Sequence, residues 1–173
     1  MTTQIGILVV GNEILDGLVL DTNSQWIINQ LKAMNLQVKE KMTVRDDVQE
    51  ISRALRRIVA NGCNLVFTTG GLGPTHDDKT LMGVAMALDL PLELNDEALN
   101  IVTRQYSELH QRGIIDTSEI TEPRRKMAVL PRGAEPLDNR VGGAPGVVLD
   151  TESAQIISLP GVPGELMWIF DNQ

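Results

Sequence analysis

The residues best equipped for chemistry in this sequence are two aspartates, Asp46 and Asp78, and a glycine-rich turn beside the second of them. The turn runs Thr68-Thr69-Gly70-Gly71-Leu72-Gly73-Pro74-Thr75-His76-Asp77-Asp78-Lys79-Thr80 and joins an apolar run to a helical one. Glycines let a backbone take positive φ and come close to a ligand. The N–H groups of such a turn, and of the helix it opens, attract an anion. The pattern is neither GxGxxG nor the GK[ST] of a P-loop, so it predicts neither a standard dinucleotide site nor a standard ATP site. Asp78 and Thr80 also suit a helix start, and Asp46 with Gln49 has the spacing of a capping box. The functional alternative follows from position. Asp46 comes after a second expected strand and Asp78 after a third, and in a parallel sheet both reach one edge. Two carboxylates beside a phosphate can share Mg²⁺, which keeps waters and takes phosphate oxygens as further ligands.

Other segments are expected at that edge. Gly11-Asn12-Glu13-Ile14-Leu15 follows the first strand, and Pro160-Gly161-Val162-Pro163-Gly164-Glu165 follows the last. RVGGAPG, residues 140–146, is a third glycine-rich turn and contains Pro145 and Gly146. His76 and His110 have no second His or Cys at ligand spacing, so no zinc site is expected.

Alternating elements must position these loops. Ile5–Val10 is a continuous apolar run, as in a strand buried on both faces. Thr22 or Asn23 suits the cap of a helix carrying Ile27, Leu31 and Met34. Residues 36–44 predict a second strand. Asp46 or Asp47 suits the cap of a helix with Val48, Ile51, Leu55 and Ile58 on one face. Leu65–Thr69 predicts the third strand. Helices are then expected with Leu81, Val84, Ala85 and Leu88, and with Leu99, Val102, Tyr106 and Leu109, facing inward. A shorter helix is expected over 118–127. Strands over 147–150 and 156–159 form a hairpin, and a last helix starts near Pro163. Helix-length crossovers imply right-handed βαβ units and a mainly parallel sheet with helices on both sides.

Composition narrows the function. The 173 residues suit one domain, and 42% hydrophobic residues suffice for a core that aliphatic side chains must fill, since aromatics are 3%. A net charge of −8 excludes nucleic acid or an anionic membrane as the main partner, because both demand clustered Lys and Arg. One cysteine, Cys63, allows no internal disulfide and fits a reducing cytoplasm; as a small buried hydrophobe it needs no chemical role. No signal peptide or membrane-length apolar run is expected. The abrupt end in a helical stretch suggests that the native product continues past Gln173.

Taken together, GGLGPTHDDKT (70–80), GNEIL (11–15), DTN (21–23) and PGVPGE (160–165) resemble the N-terminal domain of CinA-type proteins, which is similar to the molybdopterin-binding MoaB/MogA fold. The resemblance spans nearly the whole chain. It implies a three-layer α/β/α sandwich with a mainly parallel mixed sheet, and a pterin- or nucleotide-phosphate pocket in the loops already named. The implied phosphate- or nucleotide-binding set is Gly11, Glu13, Asn23, Thr69, Gly70, Gly71, Gly73, Pro74, Thr75, Thr80, Pro145, Gly146, Pro160, Gly161, Pro163 and Gly164. Asp46 and Asp78 are the expected catalytic and metal-holding pair. Two departures stand out. Molybdopterin adenylyltransferases carry GGTG where this chain has Gly70-Gly71-Leu72-Gly73, and favour Arg at the position of Asp77. An acid in place of that base weakens binding of a second anionic group. Some CinA-type domains are linked to metal-dependent hydrolysis of ADP-ribose and related pyrophosphates. The amidase domain of long CinA proteins is expected to be absent from this domain, and no amidase activity is assigned.

Three functions are thus expected in competition. The first is a pyrophosphatase using Mg²⁺ or another divalent metal on ADP-ribose-like nucleotides. The second is a molybdopterin-binding or adenylyl-transferring protein. The third is a non-catalytic nucleotide-binding module. Each takes a small phosphate-bearing ligand, and the resemblance implies a homo-oligomer, trimeric as in the MoaB/MogA group or dimeric as in CinA-type proteins.

Overall fold

The computed structural model of the protein describes residues 3–173. In chain order the elements are β1 (Ile5–Val10), α1 (Asn12–Leu15), α2 (Thr22–Ala33), β2 (Val38–Val44), α3 (Val48–Ala60), β3 (Leu65–Thr69) and α4 (Thr80–Leu88). Then follow β4 (Leu92–Leu94), α5 (Asp96–Gln111), α6 (Glu122–Lys126), β5 (Val129–Pro131), β6 (Glu135–Leu137), β7 (Gly146–Asp150), β8 (Gln155–Leu159) and α7 (Pro163–Asn172). Six strands form one sheet in the order β2-β1-β3-β8-β7-β6. β2, β1, β3 and β8 run parallel, while β7 and then β6 pair antiparallel at the far edge. β4 and β5 form a separate antiparallel pair.

The core explains the layers. All six residues of β1 are buried. Ile5, Ile7 and Val9 face one side and pack with Ile27 and Leu31 of α2 and with Leu166 and Ile169 of α7. Leu8 and Val10 face the other and pack with Ile51, Leu55 and Ile58 of α3 and Val84 of α4. Alternation along a strand gives each helical layer its own row of side chains. The mainly parallel mixed sheet between two helical layers agrees with the sequence expectation. So does the hairpin between β7 and β8, whose turn is closed by the Thr151 N–H donating to the Ala154 carbonyl at 3.0 Å.

Several local expectations are corrected. Asp21, not Thr22 or Asn23, caps α2 and accepts the Ser24 N–H at 3.0 Å. Asp47 caps α3, accepting the N–H groups of Gln49 and Glu50, so Asp46 is free of that role. The helix expected over 118–127 contracts to α6, with Pro123 in its first turn. The Arg124 guanidinium bonds the carbonyls of Thr117 and Glu119 at 2.7 and 2.6 Å, holding the preceding stretch outside the helix. The buried face of α5 is Ala98, Ile101, Val102 and Gln105, one step off the expected stripe. β4, β5, β6 and α1 had no sequence signal, because elements of three or four residues carry too little periodicity.

Candidate functional site

β1, β2, β3 and β8 end at one edge of the sheet, and their following loops meet there. In open α/β sheets this carboxyl edge is where ligands bind. Two backbone features fix the central turn. Gly70 has φ +93° and lies so close to β1 that a Cβ would sit 2.2 Å from the Val10 carbonyl oxygen. Gly71 has φ +65°, and its Cβ would lie 2.4 Å from Thr80 Oγ1. Only glycine satisfies both conditions. Thr80 is fully buried, and its hydroxyl donates to the Gly70 carbonyl at 2.7 Å. The Gly70 N–H is taken by the Leu159 carbonyl at 3.1 Å. Gly71, Leu72 and Gly73 follow it along the cavity wall, and their N–H groups are candidate donors for an anion.

The aspartates occupy defined places. Asp78 does not cap α4, which starts at Thr80 without a side-chain cap. Its Oδ2 accepts the Thr75 N–H at 2.8 Å and the Thr75 hydroxyl at 2.6 Å, folding residues 75–78 into a tight loop. Asp46 Oδ2 accepts the Asn12 N–H at 2.8 Å across the β1 and β2 loops. Burial, and then the carboxylates of Glu13, Asp78 and Asp77, push the Asp46 carboxyl above its usual range, against the Asn12 hydrogen bond. Asp46 and Asp78 thus share one cavity of about 460 Å³, as the parallel-sheet argument required.

That cavity is acidic. Glu13, Asp46, Asp77, Asp78 and Glu165 line it, and among the described residues no Lys, Arg or His does. Among the described residues no three His, Cys, Asp or Glu side chains group closely enough to hold a metal by themselves. A cation here would need two carboxylates completed by water and ligand oxygens, which is the habit of Mg²⁺.

The expected set separates into residues at the cavity and residues behind it. Glu13, Gly70, Gly71, Gly73, Pro74, Thr75, Pro160 and Gly161 line it. Thr69, Asn23 and Pro163 line a smaller adjoining cavity with Gly161. Asn23 Nδ2 donates to the Gly161 carbonyl at 2.7 Å, so Asn23 positions a loop. Gly11 is buried behind Glu13, while Pro145 and Gly146 are buried at the start of β7; Gly146 packs against Ile169 and Leu137. Thr80 holds the turn from inside. Gly164 sits exposed in the first turn of α7. These positions correct a direct ligand contact for Thr80, Pro145 and Gly146, whose chain neighbours or turn carried the sequence signal.

Sequence reasoning missed four residues. Tyr106 lines the cavity with Arg124 stacked 4.1 Å over its ring centroid, and burial raises its phenol. Glu165 Oε2 accepts from Asn139 Nδ2 at 2.6 Å; burial raises its carboxyl despite this bond and one to the Ala144 backbone. Fully buried Asn139 also accepts the N–H groups of Val141 and Gly142 through Oδ1, at 2.9 and 3.1 Å. It thereby shapes the 140–144 turn beside Glu165. Lys126 Nζ donates to the Thr75 carbonyl from the α6 side. Burial lowers its ammonium group, opposed by Asp78 and Asp77. A lone Asn or Lys far from any motif gives no signal in sequence.

This fold has counterparts. Residues 6–173 match the family described as "Probable molybdopterin binding domain", and the chain belongs to that family. The structure is similar to the protein CinA of Thermoplasma acidophilum, with a TM-score of 0.88 and 34% identity over 98% of this chain and 95% of that one. The molybdopterin biosynthesis Mog protein of Mycobacterium ulcerans shares the fold, with a TM-score of 0.62 and 18% identity over 98% and 91%. A Pyrococcus horikoshii protein is 41% identical over 167 residues, which are 96% of this chain and 66% of that protein. An Aeropyrum pernix relative is 46% identical over 166 residues, 96% of this chain and 59% of its own length. The chain therefore spans less than two thirds of these two relatives.

Proposed function

We propose that this domain is a metal-dependent pyrophosphatase acting on nucleoside diphosphate esters of the ADP-ribose type. The observation that carries the reading is the contrast between turn and cavity. The N–H groups of Gly71, Leu72 and Gly73 would receive phosphate oxygens, yet the cavity in front of them is lined by five carboxylates and, among the described residues, no cationic side chain. An anion enters such a place only with a neutralising cation. Asp46 and Asp78 would hold Mg²⁺ or a similar divalent ion, which would supply charge neutralisation at the phosphates. The turn binds and orients one phosphoryl group. Asp46 or Asp78 orients a water towards phosphorus and receives its proton as the new P–O bond forms. The bridging P–O bond breaks, and AMP and ribose 5-phosphate leave. Most of the rate enhancement comes from placing charge correctly around the phosphoryl group.

The test is release of AMP from ADP-ribose with Mg²⁺, Mn²⁺ or Co²⁺, with chelator as control. No metal-dependent release with any of the three would overturn the reading. The family description favours a second one, in which the same cavity binds molybdopterin, with or without adenylyl transfer. Retention of pterin fluorescence through purification would favour it. Nucleotide binding without turnover would leave a binding module. We also assign homo-oligomerisation to the domain, dimeric or trimeric. Leu18 and Leu20 are 78% and 84% exposed in a loop beside the site, a surface that a partner copy would cover.

A further inference from the structure

The two aspartates of the acidic cavity are held very differently. Asp46 is fixed by a backbone N–H of the α1 segment. Asp78 sits at the end of an exposed crest, in which the His76 and Asp77 side chains are 93% and 80% exposed. No core residue lies in the crest, so packing does not stiffen it. Its own hydrogen bonds are internal: Asp78 Oδ2 accepts twice from Thr75, and the Asp78 N–H donates to the Thr75 carbonyl at 3.2 Å. Among the described residues, a single hydrogen bond ties residues 75–78 to another element, and it runs from Lys126 Nζ to the Thr75 carbonyl. α6 is a firm base for that tether. Met127, Ala128 and Leu130, just after Lys126, are buried. Arg124 stacks on Tyr106 and bonds the carbonyls of Thr117 and Glu119.

We propose that Lys126 is a positioning residue for Asp78: its ammonium fixes the Thr75 peptide, and Thr75 fixes the carboxylate that lines the acidic cavity. A charged donor makes a stronger bond to a carbonyl than a neutral one, which suits a lone tether. Thr75 gives both its N–H and its hydroxyl to Asp78 Oδ2, so among the described residues Oδ1 has no protein donor and is the atom left for a cation. Gly73 makes room for this carboxylate, since a Cβ there would lie 2.8 Å from Oδ2 and 3.2 Å from Oδ1. Lys126 lines the cavity on the other side of the turn and not the acidic one. It therefore acts on a cation through Asp78, without touching it. The inference rests on the reading of Asp78 as a cation ligand and adds what holds that ligand still. Partners that orient a metal ligand typically matter by about 10–100-fold in metal affinity.

The test compares Lys126→Met, which keeps the stem and removes the donor, with Lys126→Arg, which keeps a cationic donor. Water-proton relaxation follows Mn²⁺ on the protein, alone and with ADP present, and needs no turnover. Lys126→Met should weaken Mn²⁺ by about 10-fold or more, and Lys126→Arg should recover most of that loss. Thr75→Val, which removes the hydroxyl between Lys126 and Asp78, should weaken Mn²⁺ in the same direction. In ADP-ribose hydrolysis, Lys126→Met should lower kcat by a similar factor while KM changes by less than about 2-fold. On an Asp78→Asn background, Lys126→Met should change Mn²⁺ affinity by less than about 2-fold, because its effect passes through Asp78. An equal loss on both backgrounds would overturn the proposal. So would a lower melting temperature with Mn²⁺ affinity intact, which would make Lys126 a purely structural tether. A higher KM with Mn²⁺ affinity intact would overturn it too, by placing Lys126 on the nucleotide. Wild-type protein that takes up no Mn²⁺ in either condition would overturn the metal reading itself, and the proposal with it.

Discussion

The backbone N–H of Asn12 donates to Asp46 Oδ2 at 2.8 Å, across 34 residues of sequence. This bond holds one carboxylate oxygen of Asp46, whose carboxyl also feels the charges of Glu13, Asp78 and Asp77. Asp46→Asn keeps an oxygen acceptor for Asn12. Stability should therefore fall by less than about 1 kcal/mol, while metal-dependent turnover should fall by about 100-fold or more. If Asp46 and Asp78 serve one cation, the Asp46→Asn, Asp78→Asn double variant should lose far less than the product of the single losses. Steady-state kinetics with chemical denaturation of the same four proteins checks both statements. Full activity in either single variant would remove that residue from the mechanism.

Gly71→Val should damage the turn from within. Its Cβ points at Thr80 Oγ1, not at the cavity, and its φ of +65° disfavours a β-branched residue. Steric strain of about 1–3 kcal/mol should appear as lower thermal stability, together with lost phosphate binding. Thr80→Val, which removes the donor to the Gly70 carbonyl, should show a milder form of both effects. Unchanged melting temperature in Gly71→Val would contradict the geometry of the turn.

Asn23 ties α2 to the loop after β8 through the Gly161 carbonyl. Asn23→Ala removes that donor and should cost about 1 kcal/mol. Asn23→Asp should be worse, because a carboxylate cannot donate and would face a carbonyl oxygen. In both, KM should rise more than kcat falls, since the loop positions ligand without touching the reacting phosphorus. A pure kcat effect would place Asn23 in the chemical step instead.

Glu165 gives a pH prediction with a definite sign. Burial raises its carboxyl above 4.5 in the folded chain, so between the unfolded and folded values the folded state holds more protons. Stability from this group is full below the unfolded value and is lost as pH rises through the folded one. Glu165→Gln removes the ionisation while keeping an acceptor for Asn139. The variant's melting temperature relative to wild type should therefore climb as pH is raised from about 4 to 7. A difference that stays flat with pH would mean the carboxyl titrates alike in both states.

Leu18→Asp with Leu20→Asp should shift the protein towards monomer in sedimentation equilibrium. Both side chains are largely exposed, so folding should be spared. A wild-type chain already monomeric at high concentration would refute the assignment of homo-oligomerisation.

Sequence by itself determined the layered α/β/α plan, because the long elements carry strong periodicities. Ile5–Val10 is apolar throughout and is buried on both faces, while α3 shows its Val48–Ala60 stripe directly. It also determined the glycine turn and the pairing of Asp46 with Asp78, since strand order in a parallel sheet sends successive loops to one edge. Tertiary structure alone decided which residues face the cavity. Thr80 and Gly146 lie inside their own motifs yet are buried behind the cavity, while Tyr106 of α5 reaches the cavity from a distant element and Lys126 of α6 bonds its rim at the Thr75 carbonyl. The physical reason is that motif spacing fixes backbone proximity, whereas side-chain direction depends on packing between layers. Asn12 with Asp46, Asn23 with Gly161 and Asn139 with Glu165 are long-range hydrogen bonds. Each needs two segments distant in sequence brought within 3 Å, and only the closed hydrophobic layers beneath them do that.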